Sequence, residues 1–481
     1  MARFAAVVVG PEAPVSADIG PLVVAAGPDG ALIVPPGTEL GPGWSSIKQT
    51  VGRVRFPTGR STVTVPCLDG AELLVVRWDD ADRRTTDAAR RAGMVAGSAW
   101  WRSESATVCL PWQLGFTTEQ STALVEGWIL GGYRYGDPPG DELVRFAGPD
   151  ADAVRAGVAL GESTNLAREL IDTPPGQLTP AALAETCRQL GATYGFDVRV
   201  LEQDVLLDGG FGGLVGVGAG SPQPPVLIEL RLGDAGARHT AIVAKGITFD
   251  AGGLSLKSTR EMLTMKADMA AAGAVIGAFV ALSRLQAAIP LRAYLACAEN
   301  LPGPGAVRIG DVLTHRGGRT VEVTDADCEG RLVVADALAY ALEAGPDAVI
   351  DLATLSSTSG LGPDIWAGFA TDDDLVDGLV AAGAQAGEPG WRMPLWEPYR
   401  AGLRSNVADL RNFDSGATQL YGAITAALYL REFVGEVPWA HIDLGLTVMK
   451  PGDDECTTAG ANGRGARTLT RYFLNAIGRT V

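Results

Sequence analysis

Histidine is nearly absent. The chain has three in 481 residues, His239, His315 and His441, and no HExxH pair. A histidine-built metal centre would need all three to converge, so any resident metal falls to oxygen ligands. Cysteine is sparse and scattered: Cys67, Cys109, Cys187, Cys297, Cys328 and Cys456 include no CxxC pair. That argues against a thiolate zinc site and a disulfide framework, and fits the reducing cytoplasm. Basic charge is short as well. Lys and Arg number 39 against 56 Asp and Glu, a net charge of -17, which disfavours nucleic acid and anionic membrane surfaces as partners. No apolar run is long enough to cross a membrane. The opening Met1–Val9 is cut by Gly10 and Pro11 and reads as a first buried strand rather than a secretion signal.

What is there is globular: 47% hydrophobic and 20% charged residues, with length enough for two or three domains. Residues 1–149 alternate short β-rich runs, Phe4–Val9 and Ala71–Val76, with Gly- and Pro-rich turns, then a helical stretch near Thr86–Ala99. They read as a small N-terminal α/β domain without a catalytic constellation. Trp100, Trp101 and Trp112 read as core or interface aromatics, since no polar pattern recurs with them. Residues 150–173 read as a linker helix, stopped by Thr173-Pro174-Pro175-Gly176. Thr179 is placed to cap, and Pro180 to open, the next helix. Residues 174–481 then alternate. Strands are expected at Val226–Leu232, His239–Ala244, Leu291–Ala296, Thr320–Val323, Ala348–Leu352 and Ala440–Leu444. Helices are expected at Pro180–Tyr194, Arg260–Leu285, Leu332–Ala344 and Ala423–Phe433. The fold class is α/β: a larger catalytic domain with a mixed β-sheet sandwiched by helices, and sites at strand ends. Gly209–Gly213 lacks the spacing of a phosphate loop and reads as a tight turn.

Two stretches concentrate charge where solvation does not explain it. In the first, Lys245 closes an apolar run, Asp250 comes five residues later, and Gly252-Gly253 allows a close backbone turn before Lys257. Met265 and Asp268, three apart, share a helix face. Asp268 meets Met269-Ala270-Ala271-Ala272-Gly273-Ala274, a face so small that its helix must pack closely, and a carboxylate at that edge needs a compensating cation. In the second stretch, Asp325, Asp327 and Glu329 alternate after Val321-Glu322-Val323. In an extended backbone all three face one way and repel unless cations hold them. Arg331, two residues on, suits an oxyanion or carboxylate. The same stretch spells most of a calcium loop from Asp325 to Asp336. That reading fails on a β-like upstream flank, on Asp instead of Glu at the last position, and on the lack of a second hand.

At this separation the two stretches resemble the leucyl aminopeptidase family, the di-metal cytosolic aminopeptidases (peptidase family M17). Further markers are Asn165-Leu166, Leu178-Thr179-Pro180, Gly310-Asp311-Val312-Leu313, Asp351–Leu355, Asp409-Leu410, Gly422–Ala427 and Trp439–Asp443. The resemblance implies that Lys245, Asp250, Asp268, Asp327 and Glu329 bind two divalent ions, zinc or manganese, with Asp250 and Glu329 bridging and Asp327 also offering its carbonyl. It implies that Lys257 polarises the substrate carbonyl or stabilises the oxyanion. Arg331 would orient a bicarbonate acting as general base. It also implies a homohexamer with sites facing an internal cavity, acting on peptides with a free N-terminus. The physics agrees: four carboxylates balance two divalent ions, which lets Lys245 ligate as the neutral amine, and a water between two ions becomes a nucleophile at neutral pH.

The chain departs from the usual Asn-Thr-Asp-Ala-Glu-Gly-Arg-Leu at Asp325, Ala326 and Cys328. Asp325 adds charge beside the metals, and Cys328 reads as packing. Where the family commonly has Ile-Ala-Gly, this chain has Leu444-Gly445-Leu446. Met265, Thr354, Leu355, Gly445 and Leu446 are the candidates for substrate binding around the side-chain pocket. The leading expectation is a metal-dependent aminopeptidase. A specialised dipeptidase, for example one acting on Cys-Gly or its conjugates, and a DNA-binding accessory are the alternatives.

Overall fold

The computed structural model describes the backbone of 5–9, 22–26, 62–66, 72–77, 106–109 and 143–147, then residues 85–100, 117–136 and 151–479 except 235–237, 357–359 and 415–420. Trp101, Trp112 and the side chains of Trp100 and Leu446 lie outside the described residues. The chain divides into two compact units, residues 1–165 with 450–460 and 479–481, and residues 166–449 with 461–478.

In the first unit six strands order as Ala5–Val9, Leu143–Ala147, Ala106–Cys109, Leu22–Ala26, Glu72–Arg77 and Thr62–Pro66, parallel except for the last pair. Helices Thr86–Trp100 and Thr118–Gly131 touch through glycine: a Cβ on Gly93 would lie 2.1 Å from the Leu124 carbonyl oxygen, and one on Gly127 2.0 Å from that of Arg90. Only glycine permits so close an approach.

The second unit is built on an eight-stranded sheet. We label its strands β1 (Asp197–Leu201), β2 (Val226–Leu232), β3 (Thr240–Asp250), β4 (Leu291–Asn300), β5 (Ala348–Ala353), β6 (Trp366–Ala370), β7 (Gly390–Arg392) and β8 (Trp439–Asp443). The order is β7-β6-β8-β5-β3-β4-β2-β1. β3 runs parallel to β4 and β5, and β5 parallel to β8, while β6–β8, β4–β2 and β2–β1 are antiparallel. The central β3 is covered on both faces, which is why Ala241–Ala244 reads as a continuous apolar run rather than an alternating one. Helix Pro180–Tyr194 begins as its sequence directs, with the Thr179 hydroxyl accepting from the Ala182 N–H at 3.3 Å and Pro180 in the first turn. A small sheet of Val312–Thr314, Thr320–Glu322 and Leu410–Arg411 stands beside the large one.

The expected helix Arg260–Leu285 is instead three pieces: a short turn Thr259–Met262, a 3-10 segment Met265–Met269, and the helix Ala270–Arg284. Every residue from Ala270 to Leu282 is buried, and Ala274 packs with Ala167 and Ala466, the close contact its small face requires. By length and mean hydropathy (1.5), Met265–Arg284 would suit a membrane, yet 89% of its apolar window is buried inside the protein. It is a core helix. The Gly209–Gly213 stretch is a turn only in part, since a helix starts at Gly212.

Candidate metal centre

β3 does not end at Lys245 but runs on to Asp250. Five residues apart, these two side chains would point to opposite faces of a regular strand. The pairing with β4 resolves this. Ile247 faces Ala298 and Phe249 faces Glu299, so Thr248 is one residue too many, a bulge. A bulge re-aims the side chains beyond it. Lys245 and Asp250, 3% and 2% exposed, reach the same cluster.

Lys245 Nζ lies 2.6 Å from Asp268 Oδ2 and 2.7 Å from Glu329 Oε1, and donates to the Thr354 carbonyl at 3.1 Å. Lys257 Nζ lies 2.7 Å from Asp250 Oδ2 and also contacts Asp327 Oδ1. Asp268 is delivered by the 3-10 segment rather than an α-helical face, and accepts from the Thr354 hydroxyl at 2.8 Å. Asp250 Oδ1 accepts from the Gly252 N–H and from Asn300 Nδ2, both at 2.8 Å. Gly252 has φ +84°, and a Cβ there would meet the Ser255 carbonyl at 2.5 Å and Asp327 Oδ1 at 2.9 Å. Glycine is therefore required where the chain turns around the carboxylates.

The second stretch differs from its expected extended form. Residues 324–328 form a turn and Glu329 sits at the N-terminal boundary of helix Gly330–Leu342, with helical backbone angles. Asp327 and Glu329 still converge with Asp250: one carboxylate oxygen from each lies within 4.8 Å of the others. Asp325 is not in that group. Its Oδ1 accepts from the Asp327 N–H at 2.9 Å, a bond asparagine would make as well, so its charge is additional to its turn-forming role. Asp336, the twelfth position of the rejected calcium loop, is fully buried and committed to His315 Nδ1 and the Leu214 N–H, both at 2.8 Å. Cys328 is half-buried, and desolvation pushes its thiol up to about 12.

Four carboxylates face two ammonium groups in this buried cluster, so two negative charges lack compensation. Both consequences are present. Burial alone would lower Lys245 and Lys257, but Asp268, Glu329 and Asp250 around the first and Asp250 and Glu329 around the second outweigh it and hold both above their ordinary value. Burial, with the Asp250 charge, lifts Glu329 well above the carboxylate range and Asp327 to about 6. Burial also raises Asp268, with Lys245 opposing. Glu329 Oε1 and Asp268 Oδ2 have the Lys245 ammonium as their one close partner. A dense set of hard oxygen donors, short of positive charge and with unused lone pairs, fits divalent cations.

Arg331 is 3% exposed and donates from Nη1 to the Asn412 carbonyl at 2.8 Å. Around the pocket candidates, Asp443 Oδ1 accepts from the N–H groups of Leu355 (3.1 Å), Ser356 (3.4 Å) and Gly445 (3.0 Å). Thr354 and Leu355 are thereby drawn to Gly445, and Thr354 binds Asp268 on the 3-10 segment that also carries a half-buried Met265. Two residues of this site escaped sequence reasoning. Asn300 ends β4 opposite Asp250 and donates from Nδ2 to Asp250 and, at 3.0 Å, to the Ala326 carbonyl. Asp443 organises the backbone of Leu355, Ser356 and Gly445. A polar residue closing a buried apolar strand was the available signal for both.

Known proteins resemble this chain over most of its length. The profile of the cytosol aminopeptidase family, catalytic domain, matches residues 165–470. A probable cytosol aminopeptidase of Roseiflexus castenholzii is 41% identical over 73% of this chain and 75% of its own length. One from Streptomyces avermitilis is 37% identical over 94% of each. Among solved structures, the bottromycin maturation enzyme BotP in complex with Mn superposes with a TM-score of 0.83 at 38% identity, covering 95% of this chain and 99% of that one. The cytosol aminopeptidase from Coxiella burnetii gives a TM-score of 0.82 at 27% identity, covering 98% and 99%.

Proposed function

The chain belongs to the cytosol aminopeptidase family and is a metal-dependent aminopeptidase, and from that premise we propose that two divalent ions, zinc or manganese, occupy the buried carboxylate cluster. Lys245, Asp250, Asp268, Asp327 and Glu329 hold them. The observation that carries this reading is the convergence of Asp250, Asp327 and Glu329 within 4.8 Å beside Lys245 and Asp268. Bound there, the ions would acidify a water and polarise the scissile carbonyl.

The protein's own groups do the rest. Lys257, 12% exposed at its side chain, is the ammonium at the edge of the cluster nearest solvent and stabilises the developing oxyanion. Arg331 would hold an anion, bicarbonate in this reading, which would supply a general base beside the metals. Met265, Thr354, Leu355, Gly445 and Leu446 bound the pocket for the N-terminal side chain, and the turn pinned by Asp443 keeps that wall in place. The substrates are peptides with a free N-terminus. We further propose a cytoplasmic homohexamer, with residues 174–481 as its catalytic domain and 150–173 as the helix leading into it. The comparisons do not favour the dipeptidase or the DNA-binding alternative.

The test is to strip the metal and add back zinc, manganese, cobalt or calcium while following release of the first residue from a peptide panel. The panel should set dipeptides against longer peptides. Recovery with a transition metal and loss in Glu329→Ala is the expected result. No turnover with any metal or peptide overturns it.

A further inference from the structure

The turn that carries Asp327 and Glu329 has no regular secondary structure of its own, and its shape must come from elsewhere. It comes largely from one amide. Asn412 is fully buried, one residue beyond the short strand Leu410–Arg411, which pairs in parallel with Thr320–Glu322. Its backbone N–H continues that pairing to the Glu322 carbonyl at 3.0 Å. This places the side chain inside the 324–328 turn. Oδ1 accepts from the Thr324 N–H (2.8 Å), the Thr324 hydroxyl (3.3 Å) and the Asp325 N–H (3.3 Å). Nδ2 donates to the carbonyls of Asp325 (2.7 Å) and Cys328 (3.3 Å). The Asn412 carbonyl in turn accepts from Arg331 Nη1 at 2.8 Å.

One residue thus binds the backbone of Thr324 and Asp325, two residues before Asp327, the carbonyl of Cys328 immediately before Glu329, and the guanidinium of Arg331. On the other side of the turn Asn300 takes the Ala326 carbonyl and Ser255 Oγ takes the Ala326 N–H at 3.1 Å. We infer that Asn412 is a positioning residue for the metal centre: it sets the turn presenting Asp327 and Glu329 and couples that turn to Arg331. This inference rests on the two-metal reading of the site. The chemistry requires an amide. A carboxylate lacks the donor that Asp325 and Cys328 need, and an alkyl group leaves buried donors and acceptors unsatisfied. Groups that orient metal ligands from behind typically change metal affinity or activity by about 10- to 100-fold when replaced.

The experiment titrates Mn2+ into metal-free full-length protein by calorimetry, for the wild type, Asn412→Ala, Asn412→Asp and Glu388→Gln. Glu388 is a comparably buried hub outside the turn, accepting from the Gly465 and Thr468 N–H groups at 3.0 and 2.9 Å. It controls for general loosening. Melting of each metal-free protein and the split between kcat and KM on one peptide are measured alongside. Asn412→Asp keeps the shape and the acceptor, and serves if Asn412→Ala does not fold. Its added negative charge alone would tighten cation binding, so weakening in it reports lost geometry. The expected result is a Kd for Mn2+ raised about 10- to 100-fold in the Asn412 variants, with kcat falling more than KM rises, and an unchanged Kd in Glu388→Gln despite lowered melting. Mn2+ affinity and kcat within twofold of wild type in either Asn412 variant overturn the inference alone. No Mn2+ uptake by the wild type overturns the two-metal reading and the inference with it.

Discussion

Gly330 offers a substitution in which fold and activity are expected to part company. It opens helix Gly330–Leu342 directly after Glu329. A Cβ there would stand 2.6 Å from Lys245 Cε, 2.7 Å from Lys245 Nζ and 2.8 Å from Leu355 Cδ2. Carbon atoms rest about 3.5–4.0 Å apart, so in Gly330→Ala the lysine tip must withdraw by roughly 1 Å. The fold resists this little, because what yields is the end of a flexible side chain. Replacing glycine by alanine at a helical position also favours folding by about 0.4–1 kcal/mol through the unfolded chain. The withdrawal, however, breaks the 2.6 and 2.7 Å contacts of Lys245 with Asp268 and Glu329. A misplacement of about 1 Å costs on the order of a hundredfold in rate, about 2.7 kcal/mol of transition-state stabilisation. The assay pairs kcat/KM on a chromogenic aminoacyl anilide, metal added, with melting of the metal-free protein. We expect kcat/KM down about a hundredfold and Tm within about 3 °C of wild type. Activity kept within threefold would refute the argument that the glycine exists to make room for Lys245. A Tm that collapses with the activity would show that the fold, not the site, needs the space.

The same geometry sets three further outcomes. Lys257→Met should lower kcat by about 10²–10³ while leaving Mn2+ affinity of the metal-free protein within a few fold, if its proposed role is on the oxyanion; an equal loss of both would make it a ligand-ordering group instead. Asp443→Ala frees the N–H groups of Leu355, Ser356 and Gly445 and should alter the ranking of N-terminal residues by KM; a uniform change across the panel would deny that this turn shapes the pocket. With Cys328 held up to about 12 by burial, alkylation at pH 8 should label it only after unfolding. The thiolate, the reactive form, is fully present only above that pKa, and it becomes accessible near pH 8 when unfolding returns the thiol to about 8.5.

The parts of this molecule legible in its sequence are those where a residue conflicts with its surroundings. Lys245 and Asp250 flank apolar runs, Asp268 borders a stretch of alanines, and Asp327 and Glu329 crowd together. Strand and helix positions in the second unit came from apolar runs and caps such as Thr179-Pro180. Features that depend on a partner segment stayed hidden. The Thr248 bulge exists only relative to β4. The break at Met265–Met269 lies inside a sequence of good helix formers, and what selects it is the destination of Asp268 rather than local propensity. Asn300 and Asn412 carry no charge to betray them, and their work is hydrogen bonding to backbone far away in the chain.

The bulge also bears on which length changes the strand can accept. Deleting one residue between Gly246 and Phe249 would restore strict alternation against β4 and make the sheet more regular. It would leave Asp250 opposite Asn300 and four residues from Lys245, the spacing at which a regular strand puts both side chains on one face. Substitutions along this strand can be absorbed one at a time, and so can that single deletion, whereas one residue gained with the bulge kept turns Asp250 away from Lys245. A relative whose β3 is one residue shorter and smoother would therefore be expected to keep both the fold and this pair on one face, whereas one a residue longer would need a second bulge to do so.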